Sequence, residues 1–200
     1  MIDRVSAACW SAGGRIAIAL AARHPDLVDR VAVVATPAPH EDVPWIPPDY
    51  NAGLEALRNE PPDAAHAALG QMLGGMVPED PRGPETVGLI GGGPADEPVL
   101  AGEGVRERLG DMFEAAFAQG AAGLAADIAG YGIRPWGFSP ADVAAKVLLI
   151  YGSSDAIGGR HGRWWQRHLP DARLEMVPGT GHLVVVPMWS RVLSFLAPGR

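Results

Sequence analysis

Residues 9–14, Cys-Trp-Ser-Ala-Gly-Gly, constrain the fold of this chain more than any other stretch. A strand-like run, residues 4–9, leads into Ser11, and a helix-forming segment, residues 15–24, follows soon after. This layout predicts a nucleophile elbow, a sharp strand-to-helix turn that lifts a serine hydroxyl clear of the sheet edge. The backbone is cramped at such a turn, and the three small residues that follow Ser11 suit it.

Short apolar runs predict the strands of a parallel sheet. Three of the runs are compact, rich in β-branched or small residues and bounded by turn residues, as buried parallel strands are. Because helix-forming segments lie between them, the sequence predicts βαβ units and an α/β fold of about four parallel strands with helices on both faces. The predicted strands are residues 5–9, 31–35, 147–151 and 173–177, and the predicted helices are residues 14–25, 159–169 and 186–196.

Residues 38–140 break the strand–helix pattern. Proline clusters open this region, and residues 84–104 are rich in Gly and Pro, with a predicted loop at 88–93. A mostly helical insertion between two strands predicts a cap, a kind of segment that commonly covers a site and shapes its specificity. The predicted division is therefore a core of residues 1–37 and 141–200 and a helical cap of residues 38–140, with helices at 51–59, 63–73 and 105–119.

Charge and cysteine content exclude several classes of protein. The net charge of −7 disfavours nucleic acid as a partner, because its phosphates would be repelled. A single cysteine excludes an internal disulfide and favours the reducing cytoplasm. No apolar run approaches the roughly 20 residues that a membrane-spanning helix needs, and no signal peptide is recognisable, so neither membrane association nor secretion is expected.

Three polar residues follow predicted strands, in the order Ser11, Asp155, His182. The carboxyl ends of parallel strands lie at one edge of a sheet, so these side chains are expected to meet there. A serine hydroxyl needs a base, imidazole titrates near neutral pH, and a carboxylate can fix the imidazole tautomer. Alternatives remain open: Ser11 or Asp155 as a helix cap, His182 as a structural histidine, and Asp42 or Glu41 as the acid in place of Asp155.

These motifs together resemble the α/β-hydrolase family, in particular its small bacterial esterase, aminopeptidase and haloperoxidase-like branch. The resemblance rests on Ser-Ala-Gly-Gly at 11–14, Arg-His-Pro at 23–25, the strands at 31–36 and 147–152 with Asp155, and Pro-Gly-Thr-Gly-His at 178–182. It implies a serine hydrolase that cleaves an ester, amide or related acyl bond of a small-molecule substrate, without a metal or organic cofactor. It further implies Ser11 as nucleophile, Asp155 as acid, His182 as general base and the Ala12 N–H as an oxyanion-hole donor.

Two departures from the family pattern carry expectations of their own. Cys9 stands where the family has glycine, which is expected to add strain to the turn. The strand whose loop supplies a second oxyanion donor is not found in this chain, so a truncated, non-catalytic remnant or a partner-binding protein is the alternative function. A strand at residues 5–9 without an outer neighbour is expected to favour self-association through its exposed edge.

Overall fold

The computed structural model describes residues 4–89 and 91–199. Four parallel strands form one sheet in the order β1-β2-β3-β4. As the apolar runs predicted, the strands are largely buried, and each begins or ends within a few residues of its predicted bounds. They are β1 (Val5–Trp10), β2 (Val28–Val34), β3 (Lys146–Gly152) and β4 (Ala172–Val177).

Helices lie on both faces of this sheet, which confirms the predicted α/β fold. On one face Val34, Leu148 and Ile150 pack with Val192, which belongs to the last helix. On the opposite face Tyr151 lies against Gly162 of the helix between β3 and β4, where an added Cβ would come within 2.9 Å of the ring. The helices beside the sheet are α1 (Gly13–Arg23), α8 (Gly159–His168) and α9 (Trp189–Leu196).

Helix α9 begins three residues later than the predicted start at Val186, because His182–Val185 form a separate 3₁₀ turn. Along the described chain, six further α-helices lie between β2 and β3. Three of them begin at a proline, which suits the first helical turn because no N–H is needed there. They are α2 (Pro48–Ala56), α3 (Pro62–Leu73), α4 (Pro84–Leu89), α5 (Glu97–Leu100), α6 (Val105–Ala116) and α7 (Ala122–Ile128).

The chain forms two compact units. The sheet unit comprises Met1–Trp45, Gly91–Val99 and Gly137–Arg200. The helical unit comprises Ile46–Ile90 and Leu100–Trp136. Each has its own apolar core: that of the helical unit is formed by residues of α2, α3 and α7, with Leu69 and Ala125 fully buried. Across residues 4–89 and 91–199, no helix is long and apolar enough to cross a membrane.

Candidate active site

Ser11 occupies the turn between β1 and α1 in a strained backbone conformation. Its φ of 54° lies in the left-handed region, which residues with a side chain rarely adopt. Two contacts hold the turn: the Ser11 N–H donates to the Val34 carbonyl at 2.8 Å, and the Thr36 hydroxyl donates to the Ser11 carbonyl at 2.7 Å. Thr36 lies so close to α1 that a Cβ on Gly14 would collide with it. Glycine at position 14 is therefore a steric requirement of the elbow.

Cys9 packs beside the elbow without crowding it. A Cβ built on Gly13 would lie 3.6 Å from the Cys9 Cβ and 3.9 Å from its Sγ, both ordinary van der Waals distances. Burial raises the pKa of the Cys9 thiol, which favours the protonated, less nucleophilic form. Cys9 thus behaves here as a small apolar side chain rather than as a reactive thiol.

The structure brings Ser11, His182 and Asp155 together in a continuous line. The Ser11 Oγ lies 3.0 Å from the His182 Nε2, and the His182 Nδ1 lies 2.9 Å from the Asp155 Oδ2. The side chains of His182 and Asp155 are 2% and 1% exposed, so the pair is shielded from water. The hydroxyl can therefore donate to Nε2 while the carboxylate accepts from Nδ1, which selects one tautomer of the neutral ring.

Asp155 uses its second carboxylate oxygen to hold its own loop. Its Oδ1 accepts a hydrogen bond from the Ile157 N–H at 2.9 Å, while the N-terminus of α8 at Gly158 has no side-chain cap. The alternative in which Asp155 caps the following helix is therefore replaced by a local turn. Because both oxygens are engaged, the carboxylate is fixed in the orientation that faces His182.

The other candidate acids lie elsewhere in the sheet unit. The Asp42 carboxylate accepts a hydrogen bond from the Trp164 indole N–H at 3.0 Å, and Glu41 is exposed. The carboxylate in contact with the His182 imidazole belongs to Asp155.

Three further residues, Trp10, Thr36 and Tyr151, support the site without having been singled out from the sequence. The Trp10 indole N–H donates to the His182 carbonyl at 2.9 Å, and the two rings lie 5.3 Å apart. Thr36, which holds the elbow, in turn accepts at its carbonyl from the buried Tyr151 hydroxyl at 2.8 Å. Burial raises the pKa of that hydroxyl, so Tyr151 stays protonated and keeps donating. Only two signals in the sequence indicated these roles. Trp10 directly precedes Ser11, and Thr36 and Tyr151 lie at or just after the ends of predicted strands.

Ala12 follows Ser11 and is the N-cap of α1. Its backbone is helical, with φ −57° and ψ −30°, and its carbonyl accepts from the Arg15 N–H. Within residues 4–89 and 91–199, no acceptor receives the Ala12 N–H, so this donor at the start of α1 is free for a ligand. The same part of the chain contains no group of three or more His, Cys, Asp or Glu side chains arranged to hold a metal ion.

The sequence model of the alpha/beta hydrolase fold matches residues 9–187. The chain belongs to this α/β-hydrolase family. The match includes Ser11, Asp155 and His182, and it extends through the helical unit as well as the strands from Cys9 onward.

Two similar relatives of this α/β-hydrolase chain are esterases by name. A pimeloyl-[acyl-carrier protein] methyl ester esterase of Chromobacterium violaceum is 31% identical over 177 residues, which cover 86% of this chain and 61% of the relative. The enzyme of the same name from Neisseria meningitidis is 29% identical over 201 residues, covering 94% of this chain and 65% of the relative. The chain thus spans less than two thirds of the length of these curated relatives.

Solved structures of hydrolases share the fold. A hydrolase from Pseudomonas aeruginosa is 26% identical with a TM-score of 0.62, and the match covers 98% of this chain and 66% of that one. The enol-lactonase from Burkholderia xenovorans is 22% identical with a TM-score of 0.57, over 98% of this chain and 66% of that one. The second similarity, at this identity, concerns the fold alone.

Proposed function

We propose that this chain carries the catalytic residues of a serine hydrolase that cleaves carboxylic esters through an acyl-enzyme. The observation that carries the proposal is the line from the Ser11 Oγ through His182 to Asp155, with distances of 3.0 and 2.9 Å. The strained elbow at Ser11 and the burial of the His182–Asp155 pair add to it. Each of these features belongs to the arrangement that activates a serine hydroxyl.

In the proposed reaction His182 acts twice. Its Nε2 accepts the proton of Ser11 as the Oγ attacks the ester carbonyl carbon, forming a tetrahedral intermediate. The C–O bond to the alcohol then breaks, and His182 gives its proton to the leaving alkoxide oxygen. Water attacks the acyl-enzyme in the same way, with His182 as base, and releases the acid and free Ser11. Asp155 keeps the Nδ1 proton in place and stabilises the imidazolium that forms in each half of the cycle.

The Ala12 N–H is the proposed donor to the oxyanion. It follows the nucleophile directly and points from the start of α1, where free N–H groups and the helix dipole favour negative charge. One such donor contributes about 2.7–4 kcal/mol to transition-state stabilisation.

The proposed substrate is an acyl ester with a small alcohol. This choice is supported by the two relatives whose names specify a methyl ester esterase, at 31% and 29% identity. The residues around the site determine which acyl group is accepted, because the reaction at Ser11 requires only the ester carbonyl and the leaving alkoxide.

Labelling with a fluorophosphonate tests the nucleophile directly. The reagent is expected to modify Ser11 in the native chain, because only an activated hydroxyl attacks it at a measurable rate. Ser11→Ala is expected to abolish both labelling and the hydrolysis of a short p-nitrophenyl ester.

Ser154→Ala is the matched control, since Ser154 is exposed and lies one residue before Asp155. Its labelling should equal that of the unmodified chain. Labelling that survives Ser11→Ala, mapped by peptide mass spectrometry to another serine, would remove Ser11 from the mechanism.

A second candidate function is binding without turnover. It is favoured by the position of β1 at the end of the four-strand sheet, where its only described strand neighbour is β2. Apolar side chains on the helices beside it are also exposed, with Ile16 at 62% and Leu193 at 48%. In this case the chain associates with itself or with a partner along the β1 edge.

Light scattering combined with the labelling experiment separates the two functions. A cooperatively melting oligomer without fluorophosphonate labelling would support the binding function. A monodisperse monomer that turns over esters would exclude both the binding function and self-association.

A further inference from the structure

The segment Gly91–Val99 belongs to the sheet unit, although the residues on either side of it along the chain belong to the helical unit. It contains a short 3₁₀ turn, Pro94–Asp96. At the end of that turn Asp96 is 1% exposed, which makes it one of the few buried acidic residues of the described chain. A buried carboxylate is costly unless hydrogen bonds satisfy it, so its partners indicate what the burial achieves.

The partners of Asp96 are backbone N–H groups. Its Oδ2 accepts from the Gly93 N–H at 3.0 Å and from the His182 N–H at 3.1 Å. Its Oδ1 accepts from the Leu183 N–H at 2.8 Å. No Lys, Arg or His side chain forms an ion pair with this carboxylate within residues 4–89 and 91–199. The Asp96 carboxylate thus accepts hydrogen bonds from its own turn and from the backbone of His182 and Leu183.

The two distant N–H groups belong to the first residues of the 3₁₀ turn His182–Val185. Such groups need an outside acceptor, which the preceding residue usually provides from its side chain. Here the preceding residue is Gly181, which has no side chain, and a Cβ built on it would collide with the Asp96 carboxylate. Asp96 therefore takes the place of a capping side chain, and the lack of a side chain at Gly181 leaves room for its carboxylate.

The backbone of His182 is consequently held on both sides. Asp96 accepts from its N–H, and the Trp10 indole donates to its carbonyl at 2.9 Å. Gly91, at the other end of the same segment, has a φ of 82°, and a Cβ there would lie 3.8 Å from the imidazole ring. With its peptide groups fixed, the backbone of His182 places the imidazole where it reaches both Ser11 and Asp155.

We infer that Asp96 is a positioning residue for His182, which it holds toward Ser11 by accepting the His182 and Leu183 N–H groups. This inference rests on the proposed function, because its effect on rate arises through His182 acting as the base. Asp96 does not touch the Ser11 hydroxyl or the Asp155 carboxylate. Its loss displaces the imidazole rather than removing a reacting group.

Steady-state kinetics of Asp96→Ala and Asp96→Asn on a p-nitrophenyl ester test this inference. For Asp96→Ala we expect kcat to fall roughly 10- to 100-fold with KM nearly unchanged, the scale of a displaced catalytic group. Asp96→Asn retains one carbonyl oxygen and is expected to be intermediate. The rate of fluorophosphonate labelling of Ser11 should fall in parallel in both variants.

Gly181→Ala approaches the same contact from the other side, because the added Cβ displaces the carboxylate. It should lower kcat and the labelling rate in the same pattern. Asp42→Asn is the matched control: it alters a carboxylate that also accepts a hydrogen bond, from Trp164, but does not contact His182. We expect it to leave kcat and KM as they are.

Backbone hydrogen exchange in the unmodified protein provides a readout that needs no variant to fold. The His182 and Leu183 amides should exchange slowly. Fast exchange of both, or folded Asp96→Ala and Asp96→Asn proteins with full kcat and full labelling rate, would overturn the inference. If Ser11→Ala keeps its activity and labelling, the proposed function fails instead, whatever the Asp96 variants do.

Discussion

The sheet unit and the helical unit differ in how they bury polar groups. Polar side chains that are fully or almost fully buried lie mostly in the sheet unit, where each contacts the elbow, the His182 loop or the segment after β2. The helical unit has an apolar core, with its described ion pairs at the surface, such as those of Arg82 with Asp111 and Glu114. Among the described residues, the buried polar ones are Arg15, Thr36, Asp96, His161 and His182 in the sheet unit and Thr86 in the helical unit, and the side chain of Asp155 in the sheet unit is buried as well.

Burying a polar group costs free energy, and this difference shows where the fold bears that cost in order to fix the backbone geometry. A buried polar group must find partners or destabilise the protein, so it is retained where it fixes something. Arg15 donates to the Pro37 and Ala38 carbonyls and holds the segment after β2. In the helical unit a cavity of about 380 Å³ is lined by Glu79, Asp80 and other residues, with neither serine nor histidine among its described lining. The described lining of this cavity therefore lacks the serine and histidine that the proposed reaction uses.

The largest expected effect is a loss of activity that follows a substitution in the sheet unit and not one in the helical unit. Asp155→Asn keeps an acceptor for the Ile157 N–H but can no longer hold the Nδ1 proton of His182, so kcat should fall by about 10⁴-fold. Asp80→Asn in the helical unit, where the Asp80 carboxylate accepts from the neighbouring Arg82 N–H, should leave kcat unchanged. Ester hydrolysis measures both. Equal losses in the two variants would mean that the comparison fails.

The next effect concerns stability at low pH. Burial, followed by the nearby Arg160, lowers the pKa of His161 to about 4, while its Nδ1 accepts from the Ala38 N–H at 3.0 Å. Between pH 6.5 and 4 the unfolded chain binds a proton at this residue that the folded chain does not. The contribution of His161 to the free energy of unfolding should therefore be fully present above pH 6.5. As the pH drops to 4, the free energy of unfolding should fall by up to about 3 kcal/mol.

Urea unfolding at several pH values checks this contribution when the pH dependence of two histidine variants is compared. His161→Gln should lose that part of the slope, whereas His24→Gln, at an exposed position, should retain it. Parallel pH profiles for the two variants would show that His161 does not titrate as its surroundings indicate.

The smallest expected effects come from two glycines, one in each unit. Gly14→Ala forces a Cβ onto Thr36 and should lower the free energy of unfolding by about 1–3 kcal/mol. Gly70→Ala in α3 meets no atom within 4 Å and should raise it by about 0.5–1 kcal/mol, since alanine restricts the unfolded chain. Denaturant midpoints give both values, and a change of the same sign in both would contradict the contrast between the units.

The strands and the residues at their ends could be predicted because their signals are local. A compact apolar run identifies a buried strand, and parallel strands carry Ser11, Asp155 and the His182 loop to one edge. The short helices α4, α5 and α7 could not be predicted, because they are four to seven residues long and lie among Gly and Pro without an apolar period. Their stability comes from packing rather than from helix propensity.

Asp96 was missed for a different reason. It lies in a Gly- and Pro-rich stretch, and its partners His182 and Leu183 are 86 and 87 residues away. It acts on backbone N–H groups, which every residue except proline has, so no sequence motif marks the acceptor or its target. By contrast, a serine between a strand and two glycines carries its own signal.

The arrangement around His182 also bears on the order in which contacts form as the protein folds. Ser11 and His182 are 171 residues apart, Asp96 and His182 are 86 apart, and Asp155 and His182 are 27 apart. Closing such long loops is slow, and each closure must wait until the sheet provides a surface on which the distant segments meet. We therefore expect the strands to pair before His182 has made all its contacts. In a refolding chain, the far-ultraviolet signal will return first and the reactivity of Ser11 last.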